Sequence, residues 1–299
     1  MRLSSLTRIA AVAAAVVLTA TGCGQQAQLG SSGSSAAPSV AENAQFPAGS
    51  TMARLKDAGA VRVGTKFDQP LFGLKGLDGK PVGFDVEIAK IIAAKLGIAA
   101  DKITFTETPS RIREEVLQNN QVDMVVATYT INDTRREKVS FAGPYYVAGQ
   151  DLMVKNDNTA ITGPDTLRGA GARVCSVTGS TPAKTIEQYV DPANIVLFDV
   201  YSKCADALRN GQVEAVTTDN VILLGLVDSS QGAFKIVGKP FTQEPYGIGV
   251  AKGDTQFCEF IDQTLKDSVT DGSYAAAWQG TAGKVQQTVP TLPEAQPCR

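Results

Sequence analysis

The segment Leu117-Gln118-Asn119-Asn120-Gln121-Val122-Asp123-Met124-Val125 returns without a gap as Leu208-Arg209-Asn210-Gly211-Gln212-Val213-Glu214-Ala215-Val216. A chain that uses one helix-turn-strand unit twice reads as two related α/β lobes. In such sheets ligands collect beyond the carboxyl ends of the strands. The alignment sets Thr128 and Asp219 at equivalent strand ends, one from each lobe, where they can face one cleft.

The surrounding pattern agrees with this division. From Val61 onward short apolar runs alternate with helical stripes, which argues for α/β layering with largely parallel strands. Val61 to Thr65 reads as a first strand. Phe84 to Leu96 carries Val86, Ile88, Ile91, Ile92 and Leu96 on one helical face, and Gly97 stops it. Ile103 to Thr106 is a strand, Glu114 to Gln118 a short helix, and Val122 to Ala127 an apolar strand of the buried kind. A second region repeats the order with Arg173 to Val177, a helix over Pro182 to Tyr189, and Ile195 to Phe198. Two connections cross between the regions: Phe141 to Tyr146 before the strand-like Asp151 to Val154, and Pro240 to Tyr246 before Gly247 to Val250. The expected division is residues 51–145 with 246–299 for lobe one and residues 146–245 for lobe two. A last helix over about Gln256 to Gln279 returns to the first lobe.

The chain has 299 residues with 43% hydrophobic content and 19% charge, enough for two lobes with real cores. A net charge of -2 without a long basic run gives no footprint for nucleic acid. The absence of histidine removes the commonest general base and the usual zinc ligand. Arg2 and Arg8 precede an apolar run from Ile9 to Ala20, the layout of a signal peptide over residues 1–22. That run is too short to span a bilayer as a stable helix. Ala20-Thr21-Gly22-Cys23 resembles the bacterial lipobox, which implies a lipidated Cys23. Gly24 to Ser50 is rich in Ser, Gly, Ala and Gln and reads as a flexible tether over residues 23–50. The chain is thus expected outside the cytoplasmic membrane and anchored to its outer face. Beyond Cys23 stand Cys175, Cys204, Cys258 and Cys298. An even number in an oxidising compartment suggests two disulfides. Three pairings are open, of which Cys175 with Cys204 and Cys258 with Cys298 keeps each bridge within one region. No CxxC spacing supports a metal site.

Gly83-Phe84-Asp85-Val86-Glu87-Ile88, followed by Ile92, Ala93 and Leu96, resembles the signature of family 3 of the bacterial extracellular solute-binding proteins, the polar amino acid binders of ABC importers. The resemblance runs from about Thr51 to the C-terminus. It implies a two-lobed periplasmic-binding-protein-like fold of type II, in which two hinge strands let the lobes close over one ligand. It also implies a monomer that serves an ABC permease, with no cofactor and no catalytic residue. Thr128 to Arg136 looks like the family's ligand loop, which assigns the ligand's α-carboxylate to Thr130 and Arg135. The chemistry is sound, because a guanidinium presents paired donors in a plane that matches a carboxylate. Asp219 falls where the family places an acceptor for the ligand's ammonium. Gly179-Ser180-Thr181, between a strand and a helix, can hold the same carboxylate from the opposite side. A plain helix cap by Ser180 or Thr181 is the competing explanation, as an N-cap role is for Asp219.

The charge around the first strand bears on which amino acid is bound. Lys66 follows that strand directly, at a position that looks acidic in glutamine-binding members, and a cation there suits a side-chain carboxylate. Arg111 and Arg113 begin the next helix, and either can supply a second cation. Lys66-Phe67-Asp68-Gln69-Pro70 is similar to glutamate-binding lipoproteins of actinobacteria, which ranks glutamate above aspartate and leaves glutamine and asparagine as alternatives. Each cation could instead be a solvated surface charge. Two rival readings differ in class. A dehydratase acting on prephenate-like acids shares the fold but needs a general acid, for which only Asp219 or Glu114 is at hand. A sensor lipoprotein would bind the same ligand for a membrane signalling partner.

Overall fold

The computed structural model describes residues 38–299. The expected signal peptide over residues 1–22, the lipidation at Cys23 and the first part of the tether lie outside the described residues. The chain forms α1 (Thr51–Ala58), β1 (Val61–Thr65), β2 (Asp68–Gln69), β3 (Gly73–Lys75), β4 (Pro81–Val82) and α2 (Phe84–Lys95). It continues through β5 (Ile103–Glu107), α3 (Arg113–Gln118), β6 (Met124–Thr130), α4 (Asp133–Arg136) and β7 (Ser140–Ala148). A second set follows: β8 (Gln150–Lys155), β9 (Val174–Val177), α5 (Thr181–Thr185), β10 (Ile195–Phe198), α6 (Tyr201–Arg209), β11 (Ala215–Asp219), α7 (Asn220–Asp228) and β12 (Phe234–Ile236). The last elements are β13 (Glu244–Val250), α8 (Thr255–Thr270) and α9 (Ser273–Gly280).

The strands make two five-stranded sheets, ordered β5-β1-β6-β13-β7 and β10-β9-β11-β8-β12, and a small sheet of β2, β3 and β4. The sequence echo is a structural one down to single hydrogen bonds. Gln121 N–H bonds Val116 O as Gln212 N–H bonds Ala207 O, both at 2.8 Å. Asn120 and Gly211 take the left-handed conformation at φ 51° and 71°, the turn that ends each helix. Parallel pairing sets Val63 opposite Met124 and Val174 opposite Ala215, so the echoed strands share a register. Asp123 accepts from the backbone N–H of Arg62 and pairs with its guanidinium, and Glu214 does the same with Arg173.

The lobes are joined at two adjacent crossings. β7 leaves the first sheet at Ala148, and after Gly149 alone β8 begins in the second. On the way back Phe241 N–H donates to Gln150 O, Gln150 N–H donates to Thr242 Oγ1, and β13 starts with Glu244 opposite Ala148. α2 buries Phe84, Ile88, Ile91 and Ile92 against the first sheet, each side chain contributing on the order of 1.5–3 kcal/mol. Its Phe84 meets Trp278 edge to face at 5.1 Å, which seats α9 on the first lobe. The single last helix expected from the sequence is broken in two. Gly272, at φ 83°, turns the chain between α8 and α9.

The tether reading needs a correction at its end. Composition gives residues 23–50 nothing to bury, yet Phe46 packs edge-on against Phe260 at 5.4 Å and Ala41 N–H donates to Ala94 O. At Ala41 and Phe46 the end of the expected tether is thus seated on the first lobe. The disulfides are Cys175–Cys204, joining β9 to α6, and Cys258–Cys298, fastening the C-terminal segment to α8. Among the described residues no helix is long and apolar enough to cross a membrane.

Candidate functional site

Where the carboxyl ends of β6 and β11 face each other, a narrow cavity lies between the lobes. Ser110, Arg113, Thr128 and Thr130 line it from one lobe, and Ser180, Thr181, Tyr201 and Asp219 from the other. The two strand ends matched by the echo, Thr128 and Asp219, therefore meet at one site.

The lobes touch around this cavity. Arg135 donates to Thr130 O at 2.6 Å and across the cleft to Gly179 O at 3.2 Å, and its Nε lies 3.4 Å from Glu114. Thr181 Oγ1 stands 3.4 Å from Thr130 Oγ1 and donates to Glu244 Oε2 at 2.7 Å. Ser180 caps α5 by accepting from Ala183 N–H, so the expected cap is present beside the cavity. Gly179 takes φ 79°, and a Cβ there would stand 2.7 Å from Arg111 Cα. Glycine is required on both counts.

Two buried cations flank the cavity without an acidic partner among the described residues. Lys66, 3% exposed, donates from Nζ to Ser110 Oγ at 2.8 Å, its single hydrogen bond there. Arg113, 2% exposed, donates to the carbonyls of Ser110, Ala127 and Thr128 and stacks on Tyr129 at 4.2 Å. Burying a cation without an anion is costly. Burial pushes the Lys66 ammonium down to about 7, Arg113 adds to the effect, and Asp68 opposes it. On the other wall, burial and then Glu244 push the Asp219 carboxyl up to about 7. Its Oδ2 accepts from Tyr246 OH at 2.6 Å, and its Oδ1 has no partner among the described residues.

Thr128 is held in place from behind. It adopts φ 45°, a strained conformation for a β-branched residue. Its N–H donates to Asp85 Oδ2 at 2.8 Å, and Tyr145 OH donates to Asp85 Oδ1 at 2.6 Å. Asp85 is wholly buried, and burial raises its carboxyl to about 7 against the pull of these two bonds.

Of the residues expected from the sequence, Arg113, Thr128, Thr130, Ser180, Thr181 and Asp219 line the cavity. Lys66 reaches it through Ser110, and Arg135 and Gly179 bridge its rim. Arg111 is not brought there. Its side chain is exposed, because positions two apart at a helix start point to different sides. Sequence reasoning passed over Ser110, Tyr201, Glu244 and the pairs Asp85–Tyr145 and Asp219–Tyr246. Asp85 was visible only as part of a helix-building signature, and the tyrosines as hinge residues.

The chain is similar to the glutamate-binding protein GluB of Corynebacterium efficiens, with 37% identity over 95% of this chain and 93% of that one. It is 40% identical to the ABC transporter glutamine-binding protein GlnH of Bacillus subtilis over 75% of this chain and 81% of that one. An ancestral arginine-binding protein bound to glutamine superposes with a TM-score of 0.69 at 36% identity, covering 74% of this chain and 96% of that structure. The model of the bacterial extracellular solute-binding proteins, family 3, matches residues 61–280. Two echoed lobes, two crossings and a cleft lined from both sides thus belong to a member of that family.

Proposed function

We propose that this chain captures glutamate, or aspartate, between its lobes outside the cytoplasmic membrane and delivers it to the permease of an ABC importer. The observation that carries the acidic ligand is the pair Lys66 and Arg113, buried beside the cavity with no carboxylate partner among the described residues. An acidic amino acid answers each charge. Its α-carboxylate meets Arg135 and Thr130, its ammonium meets Asp219, and its distal carboxylate meets Lys66 and Arg113. Contacts from both lobes are realised together only when the lobes are closed, so ligand shifts the population toward the closed form. The family is one of extracellular solute-binding proteins, and the relative from Corynebacterium efficiens is named for glutamate. A lipid on Cys23 would hold the protein at the membrane face. Glutamine is the second reading, favoured by the Bacillus subtilis relative named for it.

Titration calorimetry of the domain against glutamate, aspartate, glutamine and asparagine tests the ligand. Tighter binding of the two acids supports the proposal, and tighter binding of an amide refutes it. Deletion of the gene should abolish uptake of the labelled ligand. Intact uptake would favour a sensor.

A further inference from the structure

Closure of the cleft has a second seat, away from the ligand. Asp68, at the start of β2 on the first lobe, accepts through Oδ2 from the backbone N–H groups of Tyr201 at 2.8 Å and Ser202 at 3.3 Å. Those are the first residues of α6 on the second lobe. The N-cap position of α6 is Val200, whose side chain makes no cap hydrogen bond. First-turn amides need an acceptor, and a carboxylate is a strong one there. The cap of a helix in one lobe is therefore delivered by the other.

A second observation lies one element away. The carbonyl of Pro70 abuts Gly225 in α7, where a Cβ would stand 2.4 Å from Pro70 O. Gly225 sits inside a helix and lacks the positive φ that would call for glycine. Glycine weakens a helix relative to alanine, so the close approach of Pro70 is the physical reason for it. The segment is braced on its own side, since Lys75 N–H donates to Phe67 O. Lys66 begins that same segment.

We propose that Asp68 and Pro70 form a latch, caught by α6 and Gly225 of the other lobe, that stabilises the closed state whatever amino acid the cleft contains. This rests on the reading that binding and closure go together. The latch acts through closure and leaves the choice of ligand to the cavity. Asp68 is a positioning residue, not a ligand contact.

The test compares wild type with Asp68→Ala, Asp68→Asn and Gly225→Ala by calorimetry and small-angle X-ray scattering. The probes are the two amino acids that bind wild type best, whichever they are. Asp68→Ala should weaken both by the same factor, on the order of tenfold or more. The ligand-induced fall in radius of gyration should then need proportionately more ligand. Asp68→Asn keeps an acceptor oxygen and should recover part of the affinity. Gly225→Ala should raise the Tm of the protein without ligand and weaken binding, opposite signs that a folding defect cannot produce. It also decides the matter alone if Asp68→Ala fails to fold. Wild-type affinity in both Asp68→Ala and Gly225→Ala overturns the latch. So does a loss of acid binding with amide binding intact in Asp68→Ala, which would leave Asp68 as a support of the Lys66 charge and no latch. A wild-type preference for a ligand other than an acidic amino acid refutes the ligand proposal and leaves the latch to be judged with that ligand.

Discussion

Lys66→Met keeps a long apolar stem and removes the ammonium. In the structure Lys66 is 3% exposed, its ammonium is bonded to Ser110 Oγ, and burial and Arg113 make that ammonium readier to lose its proton. If a ligand carboxylate is its partner, the substitution breaks a buried, hydrogen-bonded charge pair, which costs about 2–5 kcal/mol. For glutamate that is roughly 30-fold or more in Kd. Glutamine offers a neutral carbonyl instead, and the single hydrogen bond lost is worth about 1 kcal/mol, or roughly fivefold. The ratio of glutamate to glutamine affinity should therefore fall severalfold at the least. The protein without ligand should melt higher, because a desolvated cation facing Arg113 is gone. Calorimetric titration of both ligands, with a thermal melt alongside, reads all three quantities. Equal loss for the two ligands, or no loss for either, would refute the reasoning.

Three further outcomes follow from the same geometry. Glutamate affinity should peak near neutral pH. It falls below pH 7 as Asp219, raised to about 7, takes up a proton, and it falls above pH 7 as Lys66, lowered to about 7, loses one, whereas glutamine should hold its affinity until its own ammonium deprotonates at higher pH; titrations at stepped pH check this. Asp85→Ala leaves the Tyr145 hydroxyl and the Thr128 N–H without their acceptor and should cost about 2–3 kcal/mol, a fall of roughly 4–12 °C in Tm. An unchanged melting curve would remove Asp85 as the support of Thr128. Arg135→Lys should weaken every amino acid ligand by a similar factor, since a point charge replaces a planar fork, and a selective loss would move Arg135 to the ligand's side chain.

Much of the scaffold was legible because the echo is a local motif with a physical cause. The left-handed turn at Asn120 and Gly211 recurs because it ends each helix, and the acidic residue at Asp123 and Glu214 because it ties the next strand to Arg62 or Arg173 at the start of its neighbour. The break between α8 and α9 was hidden, since the apolar period continues through Gly272 and glycine alone marks the turn. The seating of Phe46 was missed for a related reason: one aromatic among small polar residues leaves the composition unchanged. At the site, Thr128 and Asp219 could be placed by alignment, and Arg111 and Arg113 as a pair by their position at a helix start. The supports could not. Asp85, Tyr145 and Tyr246 act through pairings between residues far apart in the chain, and no local pattern says which hydroxyl meets which carboxylate. Arg111 and Arg113 look equivalent in sequence, and only the helix geometry sends one inward.

The most direct measurement is a crystal structure of the domain with glutamate bound. The account predicts the distal carboxylate on Lys66 Nζ and Arg113, the ammonium on the free oxygen of Asp219, and the α-carboxylate on Arg135 and Thr130. A glutamate turned end for end, or one that leaves Lys66 bonded to Ser110 alone, would contradict it.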